Sequence, residues 1–225
     1  MKLPPVHKVH WRAAWRIIPW RQPRINVYGR IADPKDQGVL IKLEQLTNPR
    51  VALERAKVGI LRAGDRFHAD ASGYVKAAFA YKSISRFGDG TMPMLYAASN
   101  EDTALAERKY HDTVHLLAHR ISATYLKHHA FNLELASDYH DLRRLRREFP
   151  GACSPSSYTD SQALGMAIWK TGSTGLVYES VRHRSGDCAA VFSPQTILKC
   201  RLGPVYEFQW DGKTIVESYR LDPLK

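Results

Sequence analysis

An arginine, a tyrosine and a glutamate stand ten and eleven residues apart, at Arg86, Tyr96 and Glu107. Arg86 lies in the glycine-rich loop Ser85-Arg86-Phe87-Gly88-Asp89-Gly90, and Tyr96 in the apolar run Met94-Leu95-Tyr96-Ala97-Ala98. Glu107 closes Thr103-Ala104-Leu105-Ala106-Glu107, the opening turns of a long helical pattern. Ser180 ends a further apolar run that begins at Gly175. Each residue type has its own chemistry. A guanidinium grips phosphate oxygens in a planar fork. A buried aromatic ring offers a stacking surface. A carboxylate stabilises positive charge that develops in a transition state. Ser180 has neither an adjacent base nor a Gly-x-Ser-x-Gly elbow, so a hydrogen bond to a ligand hydroxyl or to a catalytic side chain suits it better than nucleophilic attack.

Plainer readings compete at each position. Arg86 could cap a loop, Tyr96 could be core, and Glu107 could face solvent beside Arg108 and Lys109. Against solvent, Ala104 and Ala106 are small and let the helix approach a ligand or another backbone. Arg16 is flanked by Trp15 and Ile17, so a strand sends it to the side opposite both. His111, His115 and His119 recur every fourth residue on the Glu107 helix, a spacing that could hold a metal. No His-Glu-x-x-His pattern accompanies them, and packing or exposure explains them more simply. Glu179 alternates away from Ser180, so a strand gives only one of the two to a site.

The chain has 225 residues, 44% hydrophobic and 24% charged, which suits one well-buried domain. No apolar run approaches the roughly 18–20 residues of a membrane helix. The basic N-terminus lacks the apolar segment of a secretory signal. Three cysteines, Cys153, Cys188 and Cys200, show no paired spacing and read as reduced thiols of a cytoplasmic protein. The formal net charge of +11 suits nucleic acid, an acidic partner or an anionic substrate. Its densest run, Arg143-Arg144-Leu145-Arg146-Arg147, reads as a solvated helix face or turn.

The elements that must position these residues follow from local pattern. Residues 1–14 read as a polar, proline-containing arm, and Trp15–Ile18 as a strand ended by Pro19. Val39–Ala56 reads as a helix broken near Pro49, Val75–Tyr81 as a strand, and 82–93 as a loop. Asn100 is an N-cap, with Glu101 and Asp102 in the first turn of a helix expected to run to about Tyr125. Phe131–Ala136 reads as a strand and Ser161–Lys170 as a helix stopped by Gly172. Leu176–Val181 and Cys188–Phe192 read as strands, and Val205–Trp210 and Thr214–Tyr219 as a hairpin about Asp211-Gly212. Strands and helices without regular βαβ alternation predict an α+β fold, a single compact domain with a mixed or antiparallel sheet and flanking helices.

The Arg, Glu and Ser in these surroundings resemble the RES family, named for those three residues. Ala14-Trp15-Arg16-Ile17-Ile18-Pro19 is similar to its opening strand, Leu43–Arg50 to a helix-ending segment of one long subfamily, and Tyr158–Ala167 with the strands after it to its C-terminal half. Residues 55–80 match weakly and look like an insertion, so the domain is taken as 15–225, with the first phosphate-binding arginine either Arg16 or Arg66. The resemblance implies a fold like the ADP-ribosyltransferase toxins and an enzyme that destroys NAD+, as glycohydrolase or phosphorylase, with water or inorganic phosphate as acceptor. NAD+ is then a substrate and no cofactor or metal is required. Glu107, Arg86 and Ser180 would be the catalytic set, with Arg16, Tyr96, Ser161 and Gln162 binding the substrate. An Xre-like antitoxin would be the partner, and nucleic acid would be met only through it. The alternatives are an ADP-ribosyltransferase acting on a protein, with 55–80 as the acceptor loop, or a basic nucleic-acid-binding protein.

Overall fold

Two neighbouring strands, β6 (Gly175–Glu179) and β7 (Asp187–Val191), send alternate side chains into two different cores. Leu176, Tyr178, Cys188 and Ala190 enter one, and Val177, Ala189 and Val191 enter the other. A period of two with both faces buried produces such continuous apolar runs. The computed structural model describes residues 1–20, 33, 61–67, 73–80 and 82–221. The helix expected over Val39–Ala56, the Leu43–Arg50 segment and part of 55–80 lie outside them.

The remaining strands are β1 (Val6–Pro19), β2 (Lys82–Ile84), β3 (Asp89–Pro93), β4 (Leu95–Ala98), β5 (Thr124–Asp141), β8 (Ile197–Trp210) and β9 (Ile215–Leu221). Seven of the nine form one sheet in the order β1-β4-β7-β6-β5-β8-β9. β1 also pairs antiparallel with β5, Val6 opposite His140 and Pro19 opposite His128. The path β1-β4-β7-β6-β5 therefore closes on itself, while β8 and β9 extend outward from β5. All pairings are antiparallel except the short β5–β6 contact. The sheet is mixed and the fold is α+β, as the pattern predicts.

Among the described residues three α-helices flank the sheet: α1 (Gly73–Ala80), α2 (Glu101–Ala118) and α3 (Thr159–Lys170). Val75 and Phe79 of α1 pack on one face with Phe131, Leu133 and Leu135 of β5. Ala104 of α2 and Leu164 and Ile168 of α3 pack on the other with Phe87, Tyr178 and Phe208. Asn100 caps α2 by accepting from the Thr103 amide at 2.9 Å.

Four expectations need correction. Residues 6–14 are not an arm but the first part of β1, held by backbone pairing to β5. Within the expected Val75–Tyr81 strand, residues 75–80 are helical instead: Val75 and Phe79 are spaced by one helical turn, and the alanines between them favour a helix. The stretch 82–93 is not only a loop but a small hairpin, with Lys82 opposite Pro93 and Ile84 opposite Asp89. α2 stops at Ala118 rather than near Tyr125, because Arg120 turns into the left-handed region at φ 53°; the apolar Val114, Leu117 and Ile121 are exposed. The Asp211-Gly212 hairpin forms with Gly212 at φ 99°. The Arg143–Arg147 run is a turn, where Arg143 pairs with Asp141 and Asp187.

Candidate active site

One face of α2 lines a cavity of about 590 Å³ through Ala104, Glu107, His111 and Val114. The spacing of three and four residues is that of one helical face. The floor is β1 and β4 with Tyr178 and Cys188, and the opposite wall is Ser85–Arg86 with Pro155, Ser156 and Tyr158. Arg16, Arg86, Tyr96 and Glu107 thus border a single space, drawn from three strands or loops and one helix. Its volume is that of a typical ligand site. Three of its lining residues are arginines, against one carboxylate.

Glu107 is held from behind. The Ser180 hydroxyl donates to its Oε1 at 2.7 Å and accepts from the Arg182 and His183 amides at 3.1 and 3.0 Å. Ser180 is buried and does not line the cavity, and its hydroxyl is spent on the Glu107 carboxylate. The β6–β7 loop reaches α2 because residue 186 is glycine: a Cβ there would lie 1.9 Å from Thr103 Oγ1. Cys188 faces the same carboxylate, its Sγ 3.9 Å from Oε1. Burial and the Glu107 charge push its thiol pKa up, so it stays protonated.

Arg86 is buried, its Nη1 donating to the Ser154 carbonyl at 2.7 Å and its guanidinium 4.8 Å from the centre of the Tyr158 ring. Tyr96 braces the Arg86 loop: its hydroxyl donates to Ser85 Oγ at 2.9 Å and accepts from the Phe87 amide at 3.0 Å. Burial lifts its phenol to about 12, so it acts as a neutral donor. Arg16 Nη1 donates to the Tyr96 carbonyl at 2.7 Å. Burial first, and then the charge of Arg108, lower the Arg16 guanidinium to about 10, which leaves it charged at neutral pH.

Between the two candidate arginines, Arg16 borders the cavity and Arg66 is exposed away from it. Ser161 and Gln162 do not line it either. Ser161 Oγ donates to the Arg86 carbonyl at 2.6 Å, and Gln162 Nε2 donates to the Ser85 and Gly88 carbonyls at 3.0 and 3.3 Å. Their side-chain donors are spent on shaping the loop rather than on the cavity. α3 comes this close because a Cβ at Gly165 would lie 2.1 Å from the Phe87 carbonyl oxygen.

The histidine ladder divides. His111 lines the cavity, and burial lowers its pKa more than Glu107 raises it. His115 and His119, at the exposed C-terminal end of α2, lie tilted against each other with ring centres 4.2 Å apart. Sequence reasoning missed Arg108, Tyr158 and Cys188 as cavity residues. Arg108 follows Glu107 directly, and Tyr158 precedes a helix already suspected near the pocket; both were readable cues. A single cysteine in an apolar strand carries no such cue.

The family model for the RES domain matches residues 59–211. The uncharacterized protein y4oC of Sinorhizobium fredii (strain NBRC 101917 / NGR234) is 24% identical over 215 residues, covering 92% of this chain and 87% of that protein. Among solved structures, the crystal structure of the M. tuberculosis MbcT–MbcA toxin–antitoxin complex contains a similar chain, at a TM-score of 0.41 and 16% identity, covering 69% of this chain and 80% of that one. A match to one family over more than half of the sequence joins the Arg86, Glu107 and Ser180 constellation, and the chain belongs to the RES domain family.

Proposed function

We propose that the protein is a toxin-type enzyme that destroys NAD+ by cleaving its nicotinamide–ribose bond. The observation that carries this reading is Glu107, fixed by Ser180 at the wall of a cavity whose other charged residues include Arg16 and Arg86. NAD+ needs little acid catalysis, because its pyridinium leaves as neutral nicotinamide with the bonding electrons. What remains is to hold the diphosphate and to stabilise the cation forming on the ribose. Arginines suit the first task and a preorganised carboxylate the second. Oxygen of water or of inorganic phosphate then bonds to the anomeric carbon, giving ADP-ribose or its 1″-phosphate. Family membership supports the same reading, and a cognate Xre-like antitoxin that restrains the enzyme in the cytoplasm belongs to the proposal.

The test is direct. Partner-free protein is incubated with NAD+ and a chelator, and the products are separated by chromatography with and without added phosphate. Nicotinamide release is expected. Intact NAD+ in the presence of folded protein overturns the reading. ADP-ribose recovered on an added protein, rather than free, favours the transferase alternative.

A further inference from the structure

The residue after Glu107 also faces the cavity. Arg108 lines it together with Arg16, and its side chain is only 21% exposed. Its Nε donates to Asp112 Oδ2 at 2.9 Å and its Nη2 to Asp112 Oδ1, a bidentate fork one helical turn long. Asp112 is buried and also meets His128 Nε2 at 2.8 Å. His128 is itself buried, its ring stacked on Phe208 at 4.4 Å with Nδ1 3.2 Å from the Leu126 carbonyl oxygen. Arg108, Asp112 and His128 thus form a chain of contacts from the cavity wall into the core.

A pair spaced i,i+4 on an exposed helix would be an ordinary surface contact. This one is different because the acid is buried and anchored by a third residue. Burying an ion pair brings little net stability, whereas a guanidinium held in one orientation is well suited to recognising a planar or bidentate anion. Asp112 uses two of the five N–H donors of Arg108. The others have no partner among the described residues. Arg16 and Arg108 moreover bring two positive charges to one cavity, and after burial the charge of Arg108 is the next cause that lowers the Arg16 guanidinium. An anion between them relieves that repulsion, and two arginines match the two phosphates of a dinucleotide.

We infer that Arg108 is a second pyrophosphate-gripping residue beside Arg16, and that Asp112 and His128 are positioning residues that hold it toward the cavity. The inference rests on the NAD+ reading above and extends it to a residue outside the Arg–Glu–Ser set.

The experiment compares wild type, Arg108→Gln, Arg108→Lys and Asp112→Asn by NAD+ kinetics and by competition with inorganic pyrophosphate, with Tm measured for each. Wild type should turn over NAD+ and be inhibited competitively by pyrophosphate. Arg108→Gln should raise KM for NAD+ about tenfold and weaken pyrophosphate inhibition to the same extent, with kcat within about threefold, because a grip made equally in ground and transition states appears in KM. Arg108→Lys should recover part of the loss through its charge but not all, lacking the fork. Asp112→Asn should shift KM in the same direction by a smaller factor. An unchanged KM in Arg108→Gln overturns the inference, as does a loss confined to kcat or a wild type that pyrophosphate does not inhibit, while the NAD+ reading survives all three. A wild type that leaves NAD+ intact overturns both together.

Discussion

The Ser180 hydroxyl lies 2.7 Å from Glu107 Oε1, linking a strand end to a helix 73 residues earlier in the chain. This bond aims the carboxylate at the cavity without occupying it. Removing it separates orientation from binding. A hydrogen bond to a charged group contributes about 1.5–3 kcal/mol, so Ser180→Ala should lower kcat for NAD+ cleavage roughly 10- to 150-fold. KM should stay nearly constant. Steady-state kinetics decide it, and a rise in KM with unchanged kcat would place Ser180 on the substrate instead.

Glu107→Gln keeps an oxygen for Ser180 but removes the charge. Loss of one well-placed electrostatic group costs about 10²–10³ in rate, and NAD+ binding by calorimetry should persist. Wild-type turnover in this variant would remove Glu107 from the site. Arg86→Ala should act on KM instead, and more than by its charge alone, because Arg86 also fastens the Ser154 carbonyl and sits on Tyr158.

Gly165→Ala tests the loop from its far side. The new methyl would press on the Phe87 carbonyl, and overpacking of this kind costs about 1–3 kcal/mol. At roughly 2–4 °C per kcal/mol for a domain of this size, Tm should fall measurably by calorimetry. KM should rise as well, because Phe87 follows Arg86. A lower Tm with unchanged KM would show that the helix contact stabilises the fold without shaping the site.

Asp112 sets an acid limit. Burial pushes its carboxyl up, but the hydrogen bonds from His128 and Arg108 together outweigh burial and hold it below its ordinary value of 3.8. A carboxyl lowered on folding contributes stability that is present above its unfolded pKa and lost as pH falls through the folded one. Urea denaturation should therefore show stability falling in that acid window, with a shallower fall in Asp112→Asn. Equal slopes for the two proteins would mean that the cluster does not titrate on folding.

Much of the site could be read from the chain because its cues are local. Asn100 announces the helix that carries Glu107, and the glycines beside Arg86 announce the loop that borders the cavity. The strands β4, β6 and β7 are apolar runs between turn signals. What escaped was set by partners distant in sequence. Residues 6–14 look polar because only β5, more than a hundred residues away, turns them into sheet. Val75 and Phe79 fit either a short buried strand or one helical face, and the core beneath them chooses the helix. Ser161 and Gln162 lie near the pocket as expected, yet the loop carbonyls in front of them take up their donors.

The closed path through β1 and β5 has a bearing on when the cavity can form. Arg16 sits on a strand whose partners run from residue 128 to 140, and its neighbour Trp15 meets Ala98 of β4. The Glu107 support arrives later still, with Ser180 and Cys188. Pairings of such long range form slowly, after the intervening chain is available. A ribosome that has produced Arg16, Arg86 and Glu107 has therefore made three charged groups that line the cavity but not the strand pairings and the Ser180 contact that place them. Under the proposed function, chains cut short before residue 180 should leave cellular NAD+ intact, and its depletion should appear only once synthesis has passed β7.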